Sequence, residues 1–318
     1  MPELPEIETV KLQLQKYLVG QKLVELERLH PKSVQGDIVL VQSKKVTGVR
    51  RFGKMLVIDL AGRRLPRLRQ TADPRNDESA LHLAIHFKMS GQLILVKSDK
   101  RKAISKERNL GSALKNRIVG GHPTEDWLGK LPSKHTRAIF HFSSGDTMYF
   151  NDQRIFGWVK ILDSKSLKEL KFLKNLGPEV WDITDQEFYD KIHKRKKPIK
   201  ILLMDQNVIS GVGNIYANDG LWEARISPET SAAALTLEQT SVLRKGLIKV
   251  LKEGIKYGGA TASDAKYIDL QGLGGHYQEH FRTYDRTGEK CLRSDGGIIK
   301  KTVLGGRGTY FCPKCQKL

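Results

Sequence analysis

The chain has 318 residues, 39% of them hydrophobic and spread along its length, which is room for two folded domains and too apolar for a disordered chain. Its 55 Lys and Arg outnumber 35 Asp and Glu, a net charge of +20 that favours a polyanionic partner, because each cation that neutralises a phosphate releases a counterion. No apolar run is long enough to span a bilayer and the start MPELPEIETV has no apolar signal region, so nucleic acid is favoured over membrane and a cytoplasmic location is expected.

Residues 5–19 read as a helix, with Ile7, Val10, Leu14, Tyr17 and Leu18 on one face and Gly20 suited to end it. Short β-like runs follow at 22–29, 55–60, 81–87, 92–96, 137–142 and 147–150, separated by glycine and charged turns, the pattern of a sandwich. Two polar, basic, turn-rich stretches, 61–79 and 98–134, read as surface insertions. From about 163 the texture turns helical. Helices are expected at 184–194, at 197–205 with Pro198 in the first turn, and from Asn214 after ISGVGN. The longest runs from Thr236, where Thr-Leu-Glu-Gln forms a capping box, to a stop at Gly258-Gly259. The tail from about 281 is turn-rich and holds all three cysteines, Cys291, Cys312 and Cys315. An odd number clustered at one end points to a metal rather than to disulfides. No internal repeat is visible.

Five segments, MPELPEIETV, HFKMSG at 86–91, DQRIFG at 152–157, SGVGNIYANDGLW at 210–222 and GGRGTYFC at 305–312, resemble the motifs of the formamidopyrimidine-DNA glycosylase family, in the family's order and over nearly the whole chain. The resemblance implies an α+β multidomain fold. An N-terminal catalytic β-sandwich with flanking helices would occupy 1–162 and a linker 163–175. A helix–two-turn–helix DNA-binding domain with a lesion loop would occupy 176–280, and a zinc-ribbon-like β-hairpin 281–318. It also implies a bifunctional glycosylase and abasic-site lyase of base excision repair, acting as a monomer on double-stranded DNA with oxidised purines or abasic sites.

Removal of Met1 would leave Pro2 with a secondary amine of pKa roughly 8, neutral often enough to attack a sugar carbon and form an iminium ion. By resemblance Pro2 is that nucleophile, Glu3 the adjacent acid/base, Lys54 the catalytic lysine of a β-hairpin and Arg307 a phosphate-gripping arginine of the finger. Glu6, one turn beyond Glu3, is a candidate support, and reads equally as a first-turn carboxylate facing the helix dipole. Met89, Arg154 and Phe156 match the residues that fill the gap left by an everted base. The family usually has a second arginine before that Phe; here Ile155 stands in its place. Asn214 heads a helix whose free N–H groups make an anion site. His135 and the basic run 193–197, especially Arg195, resemble further phosphate contacts.

The family's finger pattern is C-x2-C-x16-C-x2-C, and the second cysteine is missing. Asp295 as fourth zinc ligand, the poorer ligand Ser294, and a metal-free hairpin are the alternatives. Two other functions stand beside the first. An enzyme resembling endonuclease VIII, for oxidised pyrimidines, is disfavoured by Leu4, where that group shows glycine. A non-catalytic binder of damaged DNA is disfavoured by the intact Pro2, Glu3 and Lys54.

Overall fold

The computed structural model describes residues 1–61, 80–98, 116–260 and 275–317. The expected insertion at 61–79, apart from Ala61, lies outside the described residues, as do 99–115 and the 261–274 part of the lesion loop. The chain forms two units, one built mainly of residues 6–174 and the other of Glu3–Pro5, 175–260 and 276 onward.

The first unit carries α1 (Leu4–Leu18) and strands β1 (Lys22–Arg28), β2 (Val34–Gln35), β3 (Lys44–Phe52), β4 (Met55–Leu60), β5 (Leu81–His86), β6 (Gly91–Val96), β7 (Arg117–Gly121), β8 (Thr136–Phe142), β9 (Thr147–Asp152) and β10 (Trp158–Asp163). Their order is β2-β10-β5-β4-β3-β1-β8-β9-β6-β7. Strand β3 joins two leaves: Lys44 and Lys45 pair with β1, and from Val46 onward the strand pairs with β4, with an irregularity between Val46 and Gly48. A bulge of this kind bends a strand and lets it serve two sheets. One core unites both leaves, with Leu26, Leu93, Phe140 and Phe150 against Leu56, Ile58, Ile85 and Val159, and the α1 stripe Ile7, Val10, Leu14 and Leu18 joins it. The expected sandwich is therefore present.

Besides the two-residue β2, three strands of the first unit escape a sequence reading. In β3 the inward residues are interrupted by charge and by Gly48. The five-residue β7 ends in two glycines, and a Cβ on Gly120 would run into Val10. Strand β7 lies inside the stretch expected as a surface insertion and corrects it: Val119 packs with Ile94 and Trp127 in a small core of its own. Strand β10, the third, runs straight into α2 (Ser164–Glu169) and α3 (Lys171–Lys174), so the segment expected as a linker is helical. Leu167 of α2 covers Met55, Val57 and Ala84 on the outer sheet face. Burial on both faces explains why MLVIDL is a continuous apolar run rather than an alternating one. A polar chain ties the same helix down. Asp59 accepts from Nδ1 of His82 at 2.7 Å, and the other ring nitrogen meets Oγ of Ser164 at 3.0 Å.

The second unit holds α4 (Asp185–His193), α5 (Ile199–Met204), α6 (Asn214–Glu223), α7 (Leu237–Lys256) and the hairpin β11 (Lys300–Leu304) with β12 (Arg307–Phe311). Capping boxes at Thr184/Glu187 and Thr236/Gln239 start α4 and α7. Pro198 is the cap of α5 rather than a member of its first turn. Helix α6 is the axis of the unit and is buried nearly all round, from Tyr216 to Trp222. Gly220 lets α7 approach closely, since a Cβ there would meet Leu247. Two buried polar residues of α6 hold the rest of the unit. Asn218 accepts the N–H of Tyr310 in the hairpin at 3.0 Å. Asp219 accepts those of Thr283 and Tyr284 at 3.0 and 3.2 Å.

Candidate active site and nucleic-acid interface

The amino end is fixed by residues far along the chain. Leu4 is fully buried in the second core and donates its N–H to the carbonyl of Gly211 at 3.1 Å. Glu3 is buried, and its carboxylate accepts the N–H of Ile215 at 2.9 Å and faces that of Tyr216 at 3.5 Å. These are orphan donors at the start of α6, whose cap residue, Gly213, has no side chain to offer. Both glycines of SGVG are thereby explained. A Cβ on Gly211, which has φ +87°, would run into Leu4, and one on Gly213 into Glu3. The anion on this helix end is thus the protein's own carboxylate, which corrects the expectation that these N–H groups are free for a phosphate. Asn214 keeps a buried side-chain Oδ1 with no partner among the described residues. Pro2 and Glu6 are buried as well, and Met1 is exposed.

Lys54 lies in the two-residue turn between Phe52 and Met55, after Gly53 at φ 55°, and is buried. Arg51 holds that turn. It donates Nε to Glu8 of α1 at 2.7 Å and Nη1 to the carbonyl of Gly53 at 3.0 Å. His86 is near, and burial foremost, with the charges of Lys88 and Lys54, pushes its pKa down to about 3. Its ring is therefore neutral, and its Nδ1 accepts the N–H of Lys88 at 3.0 Å. Sequence reasoning passed over His86 although it opens the HFKMSG segment.

Met89 and the Arg154–Phe156 segment sit in two loops fastened to each other. The pairs Gly91↔Asp152 and His86↔Trp158 close their ends. Inside, the buried Asp152 accepts from the hydroxyl of Ser90, from the N–H of Arg154 at 3.2 Å and from that of Gly157 at 2.6 Å. A Cβ on Gly157 would press on Phe150, Asp152 and His86 at 2.9–3.0 Å, so the glycine after Phe156 is required. Phe156 is 52% exposed, with the Arg154 guanidinium 4.9 Å from its ring centroid, and Met89 is half-buried. Neither is a core residue. Lys88 and Ile155 both have left-handed backbone, at φ 50° and 58°. For a β-branched residue that conformation costs about 1–3 kcal/mol.

His135 is half-buried, with Nδ1 on Asp126 at 3.0 Å. Arg195 is exposed among Lys194, Lys196 and Lys197 just after α4. Arg307 is exposed and follows Gly305 and Gly306, whose φ values of 58° and 71° make the tight turn that a two-residue hairpin needs. Beneath the hairpin lies a residue that sequence reasoning missed. Lys200 is fully buried and donates Nζ to the carbonyl of Gly308 at 2.9 Å and to Oγ1 of Thr309 at 2.7 Å. Burial lowers its pKa to about 8, with Glu3 pulling it back up and Arg307 pushing it down. In the sequence it reads as a surface cation beside the basic run before it.

Cys291, Asp295, Cys312 and Cys315 bring their ligand atoms within 4.8 Å of one another. Sγ of Cys291 and Cys315 are 3.9 Å apart, and Sγ of Cys312 is 3.7 Å from Asp295 Oδ2. Tetrahedral zinc with bonds of about 2.3 Å to sulfur and 2.0 Å to oxygen needs separations close to these. The shortfall of one cysteine is met by lengthening the knuckle. Ser294 takes a left-handed φ of 54°, which carries the next residue, Asp295, into the cluster. Gly297 completes it: its N–H donates to Asp295 at 2.7 Å, and a Cβ there would strike Cys312 Sγ. Trp222 of α6 donates its ring N–H toward Cys291 Sγ at 3.4 Å, an outer contact of the kind that orients a thiolate. The residues suit one zinc ion.

Comparison with known proteins agrees along the whole length. Residues 1–159 match the formamidopyrimidine-DNA glycosylase N-terminal domain, 176–266 the H2TH domain of the same glycosylase, and 288–318 a zinc finger found in FPG and IleRS. A formamidopyrimidine-DNA glycosylase of Pelotomaculum thermopropionicum is 35% identical over 325 residues, covering 100% of both chains. Among solved structures, an inhibited LlFpg in complex with DNA containing N7-benzyl-Fapy-dG matches with a TM-score of 0.76 at 28% identity, covering 100% of both chains. The wild-type Lactococcus lactis protein in complex with DNA containing an oxidised pyrimidine gives 0.76 at 29% with the same coverage.

Proposed function

This chain belongs to the formamidopyrimidine-DNA glycosylase family, and from that membership we propose that its chemistry runs through the imino nitrogen of Pro2. The protein is a DNA glycosylase and abasic-site lyase that acts in base excision repair of oxidised bases. Once Met1 is removed, the Pro2 lone pair bonds to C1′ of the damaged nucleotide. The glycosidic bond breaks, and the base leaves with its electron pair and takes up a proton. The Glu3 carboxylate takes up the proton that the Pro2 nitrogen sheds on bonding and passes it to the sugar ring oxygen, which assists ring opening to the iminium. That cation draws electrons from C2′, whose proton is lost as the 3′ phosphate departs, and a second elimination releases the 5′ phosphate. Lys54 and Arg307 neutralise the phosphates beside the lesion, while His135, Arg195 and Asn214 hold the backbone further out. Met89, Arg154 and Phe156 fill the stack that the everted nucleotide leaves.

The observation that carries this reading is the anchoring of Glu3, next in the chain to Pro2, on the N-terminus of α6. A carboxylate held by backbone donors cannot wander, which is what a residue placed for proton transfer needs. Zinc bound by Cys291, Asp295, Cys312 and Cys315 supplies a structural cross-link that keeps the hairpin of Arg307 folded. Among the described residues no helix is long and apolar enough to cross a membrane. We place the protein in the cytoplasm, working as a monomer on chromosomal DNA.

Oxidised purines are the proposed substrates, in keeping with the Fapy-dG ligand of one structural neighbour. The oxidised-pyrimidine complex of another makes that class the comparison to run. Borohydride trapping on 8-oxoguanine and thymine-glycol duplexes tests both points. A covalent adduct is expected, faster with the purine lesion and absent when Met1 is retained. Normal trapping by protein with a blocked N-terminus would overturn the assignment of Pro2.

A further inference from the structure

Ile155 stands out in backbone and in exposure. Among the described residues six non-glycine residues have left-handed φ, and Ile155 is the only β-branched one. It is 38% exposed and stands next to Phe156, which is 52% exposed. An isoleucine pays in strain for this backbone and still leaves more than a third of its surface exposed, joining no buried core, so packing alone does not account for it.

The surrounding structure forces the conformation. Asp152 takes the N–H groups on both sides of Ile155, from Arg154 and from Gly157, and Ser90 joins Asp152 and the Arg154 N–H to the Met89 turn. A loop with such anchors holds its tip residues in place instead of letting them fold back. The tip carries two adjacent large apolar side chains with the Arg154 cation beside them. Stacked bases flanked by phosphates are what such a surface fits: apolar faces to insert between, and anions for the guanidinium and for a chain of net charge +20.

We propose that Ile155 is a second apolar wedge residue, inserting beside Phe156 at the base step next to the lesion and helping to hold the duplex open. The inference rests on the reading of the Arg154–Phe156 loop as the gap-filling element, and it places a hydrophobic contact where the family usually carries a charge.

The test uses full-length protein and a lesion duplex with 2-aminopurine next to the damaged base, whose fluorescence rises on unstacking. Ile155→Asn keeps the left-handed backbone easily and removes the apolar group, so its melting temperature should equal or exceed that of the parent. Its duplex Kd should rise about tenfold, the equivalent of one aliphatic side chain left unburied, and the fluorescence gain should shrink. Ile155→Leu should restore both readouts. Ile155→Ala, with no new polar group, is the second truncation and is read alone if the Asn protein melts early. Folded truncation variants with parental affinity and fluorescence overturn the inference. Phe156→Ala, run in parallel, separates the two levels. If it alone loses the signal, Ile155 is not a wedge; if neither variant loses it, the loop is not the gap-filling element.

Discussion

The carboxylate of Glu3 caps a distant helix, accepting the N–H of Ile215, 212 positions later, at 2.9 Å in a space kept open by Gly213. Segments distant in sequence thus depend on each other's smallest details. Gly213→Ala puts a methyl group into the Glu3 side chain without touching a hydrogen bond of the α6 ladder. The variant should fold and bind duplex, yet lose activity by roughly 10²-fold, the usual consequence of misplacing a reacting group by about 1 Å. Single-turnover base release alongside duplex binding checks it, and parental rates would show that the position of Glu3 is unimportant.

Much of the framework is legible in the sequence. The α1 stripe is read from period alone, and the Thr236 capping box sets the start of α7. Cys291, Cys312 and Cys315 announce a metal. What stayed hidden depends on contacts between distant segments. Nothing local says that Gly120 faces Val10, so β7 reads as loop; nothing local says that Leu167 covers β4, so α2 reads as part of a linker. The N–H groups at the start of α6 looked free because their partner lies at the other end of the chain. Lys200 reads as one more surface cation until Gly308 and Thr309 are found on its amine.

Asp219 is the buried counterpart on the same helix. Burial foremost holds its pKa up, with the N–H groups of Thr283, Arg282 and Tyr284 working in the opposite direction. Asp219→Ala would strand the donors of Thr283 and Tyr284 and should cost about 3 kcal/mol in denaturant unfolding. Asp219→Asn keeps an acceptor and avoids the buried charge, so it should cost much less at neutral pH. Because the folded-state pKa is raised, the parent should lose some stability as pH rises above the ordinary carboxylate value, and the Asn variant should not.

His86 gives a pH dependence of its own, with an opposite slope. Its folded-state pKa is about 3 and its unfolded value 6.5, so between those values the unfolded chain binds a proton that the folded one refuses. Stability should therefore fall as pH drops below 6.5, by up to about 1.4 kcal/mol per pH unit from this residue. Chemical melts from pH 7.5 to 5 on the parent and on His86→Gln measure the difference. Equal slopes in the two proteins would remove His86 as the cause.

Metal content follows from the cluster geometry. The purified protein should carry one zinc per chain by native mass spectrometry. Asp295→Ala should surrender it to a chelator that the parent resists, and Ser294→Ala should not, since it is Asp295 that reaches the thiolates. Gly297→Ala should lose zinc too, because its methyl group would displace Cys312 Sγ. Zinc retained by Asp295→Ala and lost by Ser294→Ala would reverse the assignment of the fourth ligand.

Arg307 is the cleanest test of how the finger meets DNA. It is exposed at the start of β12, the Gly305-Gly306 turn fixes its direction, and Lys200 holds the next two residues from below. Its environment supplies position, leaving the guanidinium for a partner. Arg307→Ala should therefore leave the melting temperature near parental and weaken binding to any duplex, damaged or not. One fewer phosphate neutralised means one fewer counterion released, so the slope of log K against log salt should decrease by about one. Lys200→Met should produce a different signature. It removes both donations to the hairpin, so it should lower thermal stability as well as binding, with the salt slope altered only as far as Arg307 loses its place. A parental slope in Arg307→Ala would mean that this arginine meets no phosphate.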